Sequence, residues 1–363
     1  MGRIDSIHYL RGVAALLVVF YHFKGFINGA YPIDNLGNLL FGVGAFGVDL
    51  FFIISGFIIC FATKKKETHQ SLKFLVRRFF RIYPLLIVCV LLYFFFAIKN
   101  GNLTSLFISL IPLNLNYNQH GPFFGYNILP PAWTITFEVF FYALFLISMT
   151  INHKMRGWIV IAIIMISMLA LQIFATGAFS LEPSSNFGFG SLPHVLAAIA
   201  STASSPMMIG FICGVVIYMV WDKVDFDRID NHKNTLATVA AIVLLMCISL
   251  LWSGQYEGHG FAKWGWIAAL MVISCLVIEG CVVIRQNRVL SFLGDISYSL
   301  YITHMVFLYA VTKKAWFFQF YKPSLGFATF TVFVSCSILM AYIFHRLIEM
   351  PSLRLGKKVL RNM

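Results

Sequence analysis

The sequence predicts an all-α polytopic membrane protein with about ten transmembrane helices and both termini in the cytoplasm. Of its 363 residues, 60% are apolar and only 11% are charged. The mean hydropathy is +0.83, far above the range of soluble proteins. Long apolar runs recur along the chain, and a run of about 20 residues is enough for a helix to cross roughly 30 Å of hydrocarbon.

The predicted spans follow one another closely, so residues 1–363 are expected to form a single transmembrane domain with no appended soluble domain. The spans cover residues 6–27, 44–62, 79–98, 132–149, 158–176, 194–220, 235–252, 264–284, 292–312 and 326–346. Between them, the apolar stretch from Leu103 to Leu115 is too short to cross comfortably. It is interpreted as re-entrant or interfacial.

The distribution of Lys and Arg predicts the orientation. With the N-terminus inside, twenty of the 27 basic residues fall on the cytoplasmic face and six on the other, with Arg11 left in the membrane. The six are Lys24, Lys99, Lys263, Lys313, Lys314 and Lys322. The net charge of +13 therefore reflects membrane topology and not nucleic-acid binding. The seven cysteines form no CxxC pair, so neither disulfides nor a metal site is indicated.

The first span carries two ionisable side chains, Arg11 and His22. Eleven residues separate them, which places them about 16 Å apart along a helix and about 20° apart around it. Ionisable groups inside a span are costly, and they usually line a polar path or a functional site. This helix is therefore predicted to hold a cation at one depth and an imidazole at another.

Three more side chains are predicted to lie near the outer end of this helix, at the depth of His22. Asp49 begins the second span, and Trp133 and Glu138 begin the fourth. A carboxylate that accepts from one imidazole nitrogen raises the basicity of the other, so Asp49 and His22 outline a general-base pair. The alternative is a set of interfacial polar groups that reach water independently.

Basic residues at the start of the third span predict an anion site on the cytoplasmic side. Arg78 and Arg81 are three residues apart on one helical face, near the level of Arg11, with Arg77 and Tyr83 beside them. Arginine binds phosphate bidentately, which suits a long donor with a polyphosphate head. The alternative is an ordinary positive-inside flank. Further candidates for supporting roles are Ser55, Tyr298, His304 and Glu349.

At these residues the chain resembles the acyltransferase-3 family of membrane O-acyltransferases, in particular the exopolysaccharide and O-antigen acetyltransferases. The motifs that carry the resemblance are Leu10-Arg11-Gly12 with His22, the stretch Gly47 to Phe57, Arg78-x-x-Arg81-Ile82-Tyr83-Pro84, Trp133-Thr134 with Glu138, Phe141-Tyr142, Ile296 to Tyr301 with His304, and Glu349-x-Pro351. They occur in order over nearly the whole chain. Ile135 stands where the family usually has Leu.

The resemblance implies a ten-helix protein of the bacterial inner membrane that uses cytoplasmic acetyl-CoA as co-substrate and holds no permanent cofactor or metal. Its partners would be acetyl-CoA, membrane lipids and a glycan acceptor, such as an exopolysaccharide or the O-antigen of lipopolysaccharide. Arg11 and His22 would be the essential pair. Asp49, Arg78, Arg81 and Glu138 match further functional positions.

The resulting hypothesis is that CoA phosphates dock on Arg78, Arg81 and Arg77, and that the thioester passes Arg11 to reach His22. Asp49 orients His22, while Glu138 and Trp133 position the sugar. Direct transfer and an acetyl-histidine intermediate both remain open. Two other classes compete: a proton-coupled transporter that uses the same ionisable residues as a relay, and a glycan carrier without chemistry.

Overall fold

The computed structural model describes residues 3–98, 101–313, 326–361 and 363, and these residues form helices and connecting loops without a β-strand. The α-helices are α1 (Asp5–Phe23), α2 (Leu36–Phe41), α3 (Gly47–Ala62), α4 (Gln70–Ala97), α5 (Leu103–Leu110), α6 (Trp133–Ile151), α7 (Arg156–Thr176), α8 (His194–Ser204), α9 (Met208–Trp221), α10 (Lys233–Trp252), α11 (Trp266–Cys281), α12 (Arg288–Lys313), α13 (Phe327–Phe344) and α14 (Met350–Arg361). Short 3₁₀ turns lie at Lys24–Phe26, Gly42–Phe46, Pro130–Ala132, Phe189–Ser191 and Phe226–His232, and π-helical turns at Phe261–Gly265 and His345–Glu349.

The prediction of an all-α polytopic membrane protein is confirmed. Within the described part of the chain, eight helices are long and apolar enough to cross a membrane, and the pair α8–α9, bent by 53°, would make a ninth. Helix α12 has the length of a span, 26 residues, but it is less apolar because it carries polar side chains that face the interior. The count of ten and the cytoplasmic termini stay predictions. Lys99, Lys314 and Lys322, used for the orientation, lie outside the described residues.

The segment predicted as re-entrant or interfacial begins with a short helix. Helix α5 has eight residues, too few to cross a bilayer, and its Leu103 and Phe107 side chains are both 63% exposed. The loop that follows folds back on itself, since the Leu115 amide donates to the Tyr126 carbonyl and the Asn116 amide to Phe124. This loop lies against the functional region described below.

Helix α1 is central in the bundle and contacts α3, α11, α12 and α13. Its closest neighbour is α12, where a Cβ placed on Gly12 would come within 2.7 Å of the Gly294 backbone. Helices α3 and α9 cross as closely, because a Cβ on Gly56 would lie 2.2 Å from the Phe211 carbonyl oxygen. Small residues at such crossings let helices approach within backbone contact, which compensates for the missing hydrophobic drive between helices in lipid.

Pro84 inside α4 shapes the backbone beside the arginine motif. Proline cannot donate the helical hydrogen bond to the carbonyl four residues earlier, here that of Phe80. The Ser352 hydroxyl of α14 donates to this carbonyl at 2.8 Å. The π-helical turn before α14 then brings Glu349 towards α4. The last helix is thereby fixed against the start of α4, where Arg78 and Arg81 lie.

Candidate functional site

A cavity of about 100 Å³ lies inside the bundle, with walls from α1, α3, α4, α6 and α12. Its charged and polar lining consists of Arg11, Ser55, Thr134, Glu138, Tyr142, Arg78, Arg81, Tyr298 and Tyr301. A water molecule needs roughly 10–15 Å³ on this measure, so the cavity holds several waters or the narrow end of an extended ligand. The structure therefore brings the predicted cations of α1 and α4 to one enclosed space.

Among the charged side chains of this cavity, Arg11 has the fewest direct partners. Its guanidinium makes no hydrogen bond or ion pair to any described residue, and the charged groups that act on it are Arg81, Glu138 and Glu349. A cation buried without a direct partner is costly in a protein interior, and functional sites commonly hold such groups. The position of Arg11 therefore favours binding of an anionic or strongly polar group in the cavity.

Arg81 is held by a buried carboxylate and an aromatic ring. It forms an ion pair with Glu349, and its guanidinium lies 5.5 Å from the centre of the Tyr298 ring. Glu349 is only 1% exposed and also accepts from the Ser299 hydroxyl at 2.6 Å and from His345 Nδ1 at 3.0 Å. Arg81 is thus held in place by its counter-ion Glu349, which ends the π-helical turn between α13 and α14.

Arg78 stands between two aromatic rings on the other side of the cavity. Its guanidinium lies 5.6 Å from the Phe74 ring centre and 5.2 Å from that of Tyr142. The Nε atom of Arg78 is buried without a hydrogen-bond partner among the described residues. Arg78 and Tyr142 also line an apolar groove between α4 and α6, so this side of the cavity wall is shared with the groove.

Two of the residues predicted to bind the donor lie elsewhere. Arg77 points away from the cavity and pairs with Glu67 at 2.5 Å, where its side chain is 37% exposed. Tyr83 lines the apolar groove and stacks on Phe79, with ring centres 5.2 Å apart. Tyr83 is two residues from Arg81 and five from Arg78, so helix geometry turns it to another face. Arg77 is four residues from Arg81 and shares its face, and its ion pair with Glu67 holds the side chain outside the cavity.

Glu138 belongs to the arginine cavity and not to the depth of His22, so this part of the prediction is wrong. Five residues of helix place it about 7.5 Å deeper than Trp133. There it accepts hydrogen bonds from the Ser55 hydroxyl at 3.2 Å and from the Tyr142 hydroxyl. Ser55, for which a supporting role was predicted, therefore contributes a hydrogen bond to Glu138.

The tyrosines of α12 join the cavity walls to each other. The Tyr298 hydroxyl donates to the Ile82 carbonyl at 2.7 Å, and the Tyr301 hydroxyl lies 2.9 Å from Thr134 Oγ1. Tyr301 also packs against His304, with ring centres 6.2 Å apart. The Tyr301 side chain thus lies between the cavity and the pair formed by His304 of α12 and His22 of α1.

His22 contacts a second histidine and not Asp49. Its Nδ1 lies 2.9 Å from the Val18 carbonyl and 3.3 Å from His304 Nε2. His304 Nδ1 lies 3.2 Å from the Leu300 carbonyl, so its Nδ1 carries the proton and its Nε2 accepts. The same reasoning puts the His22 proton on Nδ1, shared between two acceptors. His22 Nε2 then has a free lone pair, which is the form that a general base requires.

The predicted Asp49–His22 pair is wrong because the connection between α1 and α3 is not a short hairpin. Residues 24–46 include α2 and two 3₁₀ turns. Both oxygens of Asp49 are used elsewhere: Oδ2 accepts from His259 Nδ1 at 2.8 Å, and Oδ1 accepts from the Gly260 amide at 2.9 Å. Asp49 does hold an imidazole, but that of His259.

His259 is the site residue that the sequence interpretation missed. It precedes α11 and is flanked by Gly258 and Gly260, whose φ angles are 101° and 103°, a region that strongly favours glycine. A histidine between two glycines at a loop next to a span was the available signal. Trp133 lies against it, with ring centres 5.7 Å apart, so Trp133 belongs with the Asp49–His259 pair.

No group of three or more His, Cys, Asp or Glu side chains in the described ranges is arranged to hold a metal ion. The described residues supply an arginine cavity, a histidine with a free Nε2 beyond Tyr301, and a buried carboxylate–imidazole pair.

Comparison with known proteins assigns a family to these features. The profile of the acyltransferase domain family Acyl_transf_3 matches residues 4–346. The chain is 24% identical over 328 residues to the exopolysaccharide production protein ExoZ of Rhizobium meliloti strain 1021, covering 87% of this chain and 92% of that protein. It is 24% identical over an alignment of 375 positions to the acyltransferase MdmB of Streptomyces mycarofaciens, which covers 97% of this chain and 92% of that protein.

A third relative, from Staphylococcus aureus strain COL, has a name that provisionally assigns it as an O-acetyltransferase. It is 23% identical over an alignment of 393 positions that covers 99% of this chain but only 59% of that longer protein. No solved structure matches the chain.

Proposed function

Because the chain belongs to the Acyl_transf_3 family of acyltransferases, we propose that it is a membrane O-acetyltransferase of the bacterial inner membrane. It takes the acetyl group from cytoplasmic acetyl-CoA and transfers it to a hydroxyl of a cell-surface or lipid-linked glycan on the extracytoplasmic side. The exopolysaccharide role in the name of ExoZ favours a surface polysaccharide as acceptor. The family assignment favours an enzyme over a proton-coupled transporter or glycan carrier.

The observation that carries the proposal is the arginine cavity with its unpaired Arg11. Arg78 and Arg81 stand at the same cavity, and both follow the basic stretch Lys64 to Arg77 that the charge distribution places in the cytoplasm. The cavity would take the narrow arm of an acyl donor, so that the thioester passes Arg11 on its way to His22. The phosphates would remain at the mouth, near Arg78, while Arg11 faces polar atoms of the arm.

Transfer then takes place at His22. His22 Nε2 removes the proton of the acceptor hydroxyl while the oxygen attacks the thioester carbonyl carbon. The C–O ester bond forms, the C–S bond breaks, and the CoA thiolate leaves and takes the proton from the imidazolium. His304 Nε2 and the Val18 carbonyl keep the Nδ1 proton of His22 in place throughout this cycle.

The test is the ester-linked acetate of surface polysaccharide purified from cells that express wild type, His22→Ala, Arg11→Ala or Arg77→Ala. We expect acetate with wild type and Arg77→Ala, since Arg77 is paired with Glu67 at the surface. Loss of a general base costs roughly 10²–10⁴ in rate, so His22→Ala should leave almost none. Purified wild-type protein and Arg77→Ala should bind acetyl-CoA, and Arg11→Ala should bind it more weakly.

If cells with His22→Ala retained full acetylation, His22 would not be the general base. If the polysaccharide carries no protein-dependent acyl ester and purified wild type does not bind acetyl-CoA, the proposed function is wrong.

A further inference from the structure

We propose that His259, Trp133 and the loop residues 123–126 form the binding subsite for a pyranose ring of the acceptor, with His259 Nε2 accepting a hydrogen bond from one of its hydroxyls. This subsite rests on the proposed function and adds to it the part of the protein that recognises the sugar.

The first argument is the state of His259. Its Nδ1 donates to Asp49, which is only 4% exposed, so the remaining Nε2 is a hydrogen-bond acceptor. The His259 side chain keeps 12% of its surface exposed, and no described residue bonds to its Nε2. An open acceptor backed by a buried carboxylate suits a neutral hydroxyl donor.

The second argument is the set of aromatic rings around this imidazole. Phe123, Trp133 and Trp264 come from three different segments, and their ring centres lie 6.0, 5.7 and 5.4 Å from that of His259. The indole Nε1 of Trp264 is buried without a partner in the described part of the chain. Trp133 and Trp264 are only 5% and 6% exposed, so they pack behind the imidazole, and the rings open to a ligand are Phe123 and Tyr126. Ligand sites typically combine apolar walls with a few polar groups, and the C–H face of a pyranose packs on aromatic rings while its hydroxyls bond at the edge.

The third argument is the strained conformation of the loop that presents these rings. Phe124, Gly125 and Tyr126 have φ angles of 44°, 74° and 59°, and two of them are not glycine. Such residues cost of order 1–3 kcal/mol each and are concentrated at ligand and catalytic sites. Phe124 is buried, whereas Tyr126 is 42% exposed and stacks on Phe123 with ring centres 4.8 Å apart. The strained backbone therefore places the Tyr126 ring at the surface.

The fourth argument is proximity to His22. Burial raises the pKa of Tyr126, and the charge distribution of Tyr21 raises it further, so Tyr21 lies on the same side of the protein. The Tyr21 ring in turn packs edge-on against His22, with centres 5.2 Å apart. Ring contacts thus join His259 to Phe123 and Phe123 to Tyr126, and Tyr21, which acts on Tyr126 electrostatically, packs on the proposed base. A sugar on this surface would place one hydroxyl at His259 and another towards His22.

The neighbouring loops hold this surface together. Glu182 pairs with Lys263 at 3.0 Å, and a Cβ on Gly260 would meet the Pro183 side chain at 2.3 Å. The segment around Pro183 therefore packs directly on the backbone that carries His259. His120, an exposed histidine on the same loop as Phe123, bonds through Nδ1 to the Ser184 carbonyl at 3.2 Å and lacks the aromatic surroundings.

The experiment measures transfer from radiolabelled acetyl-CoA to surface polysaccharide of the producing strain after its esters have been removed with mild alkali. Full-length wild type, His259→Leu, Tyr126→Gly and Tyr126→Phe are compared in proteoliposomes, with His120→Leu as the matched control. We expect His259→Leu and Tyr126→Gly to raise the KM for polysaccharide about tenfold, equivalent to about 1.4 kcal/mol. Their affinity for acetyl-CoA should stay at the wild-type value.

Tyr126→Phe keeps the ring and should behave like wild type, as should His120→Leu. Tyr126→Gly removes the ring while suiting the positive φ, so a folding defect is not expected at this position even if His259→Leu is unstable. An unchanged KM for polysaccharide in Tyr126→Gly, with active wild type, would overturn the subsite and leave the proposed function intact. If wild type neither binds acetyl-CoA nor transfers acetate, the proposed function and the proposed subsite are both wrong.

Discussion

Replacement of His304 tests how His22 is prepared for catalysis. In the structure the Nδ1 proton of His22 is shared between the Val18 carbonyl at 2.9 Å and His304 Nε2 at 3.3 Å. His304→Leu removes the longer of the two acceptors and fills the same buried space with an apolar side chain of similar volume. A hydrogen bond of this kind contributes about 1 kcal/mol, which corresponds to about a fivefold change in rate.

We therefore expect His304→Leu to lower kcat about fivefold with little change in KM for either substrate. His304→Gln should recover most of the loss, because its amide oxygen can accept from Nδ1. His22→Ala, which removes the base itself, should lose roughly 10²–10⁴ in kcat. The assay is transfer of labelled acetate from acetyl-CoA in proteoliposomes, with thermal unfolding measured in parallel to control for loss of packing.

Two results would refute this reasoning. If His304→Leu is as inactive as His22→Ala while remaining folded, His304 takes part in the chemistry directly. If His304→Leu has wild-type kcat, the Val18 carbonyl alone fixes the tautomer and His304 only packs.

Three further predictions concern the scaffold around the site. Glu349→Ala leaves Arg81 without its counter-ion, and breaking a buried pair costs about 3–5 kcal/mol, so the melting temperature should fall sharply while Glu349→Gln is milder. Gly214→Ala should also lower the melting temperature, because its Cβ would lie 2.0 Å from a carbonyl oxygen of α3, and unchanged stability would contradict that close crossing. Lys263 holds the pKa of the Glu182 carboxyl below its ordinary 4.5, so this ion pair stabilises the folded loops above pH 4.5 and is lost as the pH falls through the lowered pKa. Glu182→Gln should mimic that loss at neutral pH and speed hydrogen exchange in residues 255–260, and an unchanged exchange rate would show that the pair does not hold the loop.

The helices and the residues inside them were predictable because hydrophobic spans impose a simple geometry. A span must satisfy its own backbone hydrogen bonds, so its length and side-chain phase follow from 3.6 residues per turn. This is why Arg11, Arg78 and Arg81 could be expected near one another. The same geometry, applied more strictly, would have placed Glu138 more than a turn below Trp133. It would not have predicted the position of Arg77, which depends on the ion pair with Glu67.

The partners of His22 and Asp49 were not predictable, because each depends on a loop. Asp49 was expected to meet His22 of the preceding span, but the segment that folds over it comes from residues 253–260, some 210 positions later. Loop conformation depends on turns at positions such as Gly258 and Gly260 and on packing between distant segments, neither of which has a sequence period. His304 could be expected to need a polar partner, but not that the partner would be His22.

This division between helices and loops has a functional consequence. Arg11 and His22 lie on one helix, so the distance between the arginine cavity and the proposed base is set by helical rise and is insensitive to loop changes. The surface beyond His22 is built from loop residues, such as Phe123, Tyr126 and His259, that can change without disturbing α1 or its packing on α12. Loops tolerate substitution better than the helices that position them. An acyltransferase with this architecture can therefore keep one donor site and one base while the loops adapt it to a different acceptor. Exchanging residues 116–128 between two such enzymes should transfer the preference for the acceptor and leave the affinity for acetyl-CoA unchanged. A swap that alters donor affinity but not acceptor preference would contradict this division.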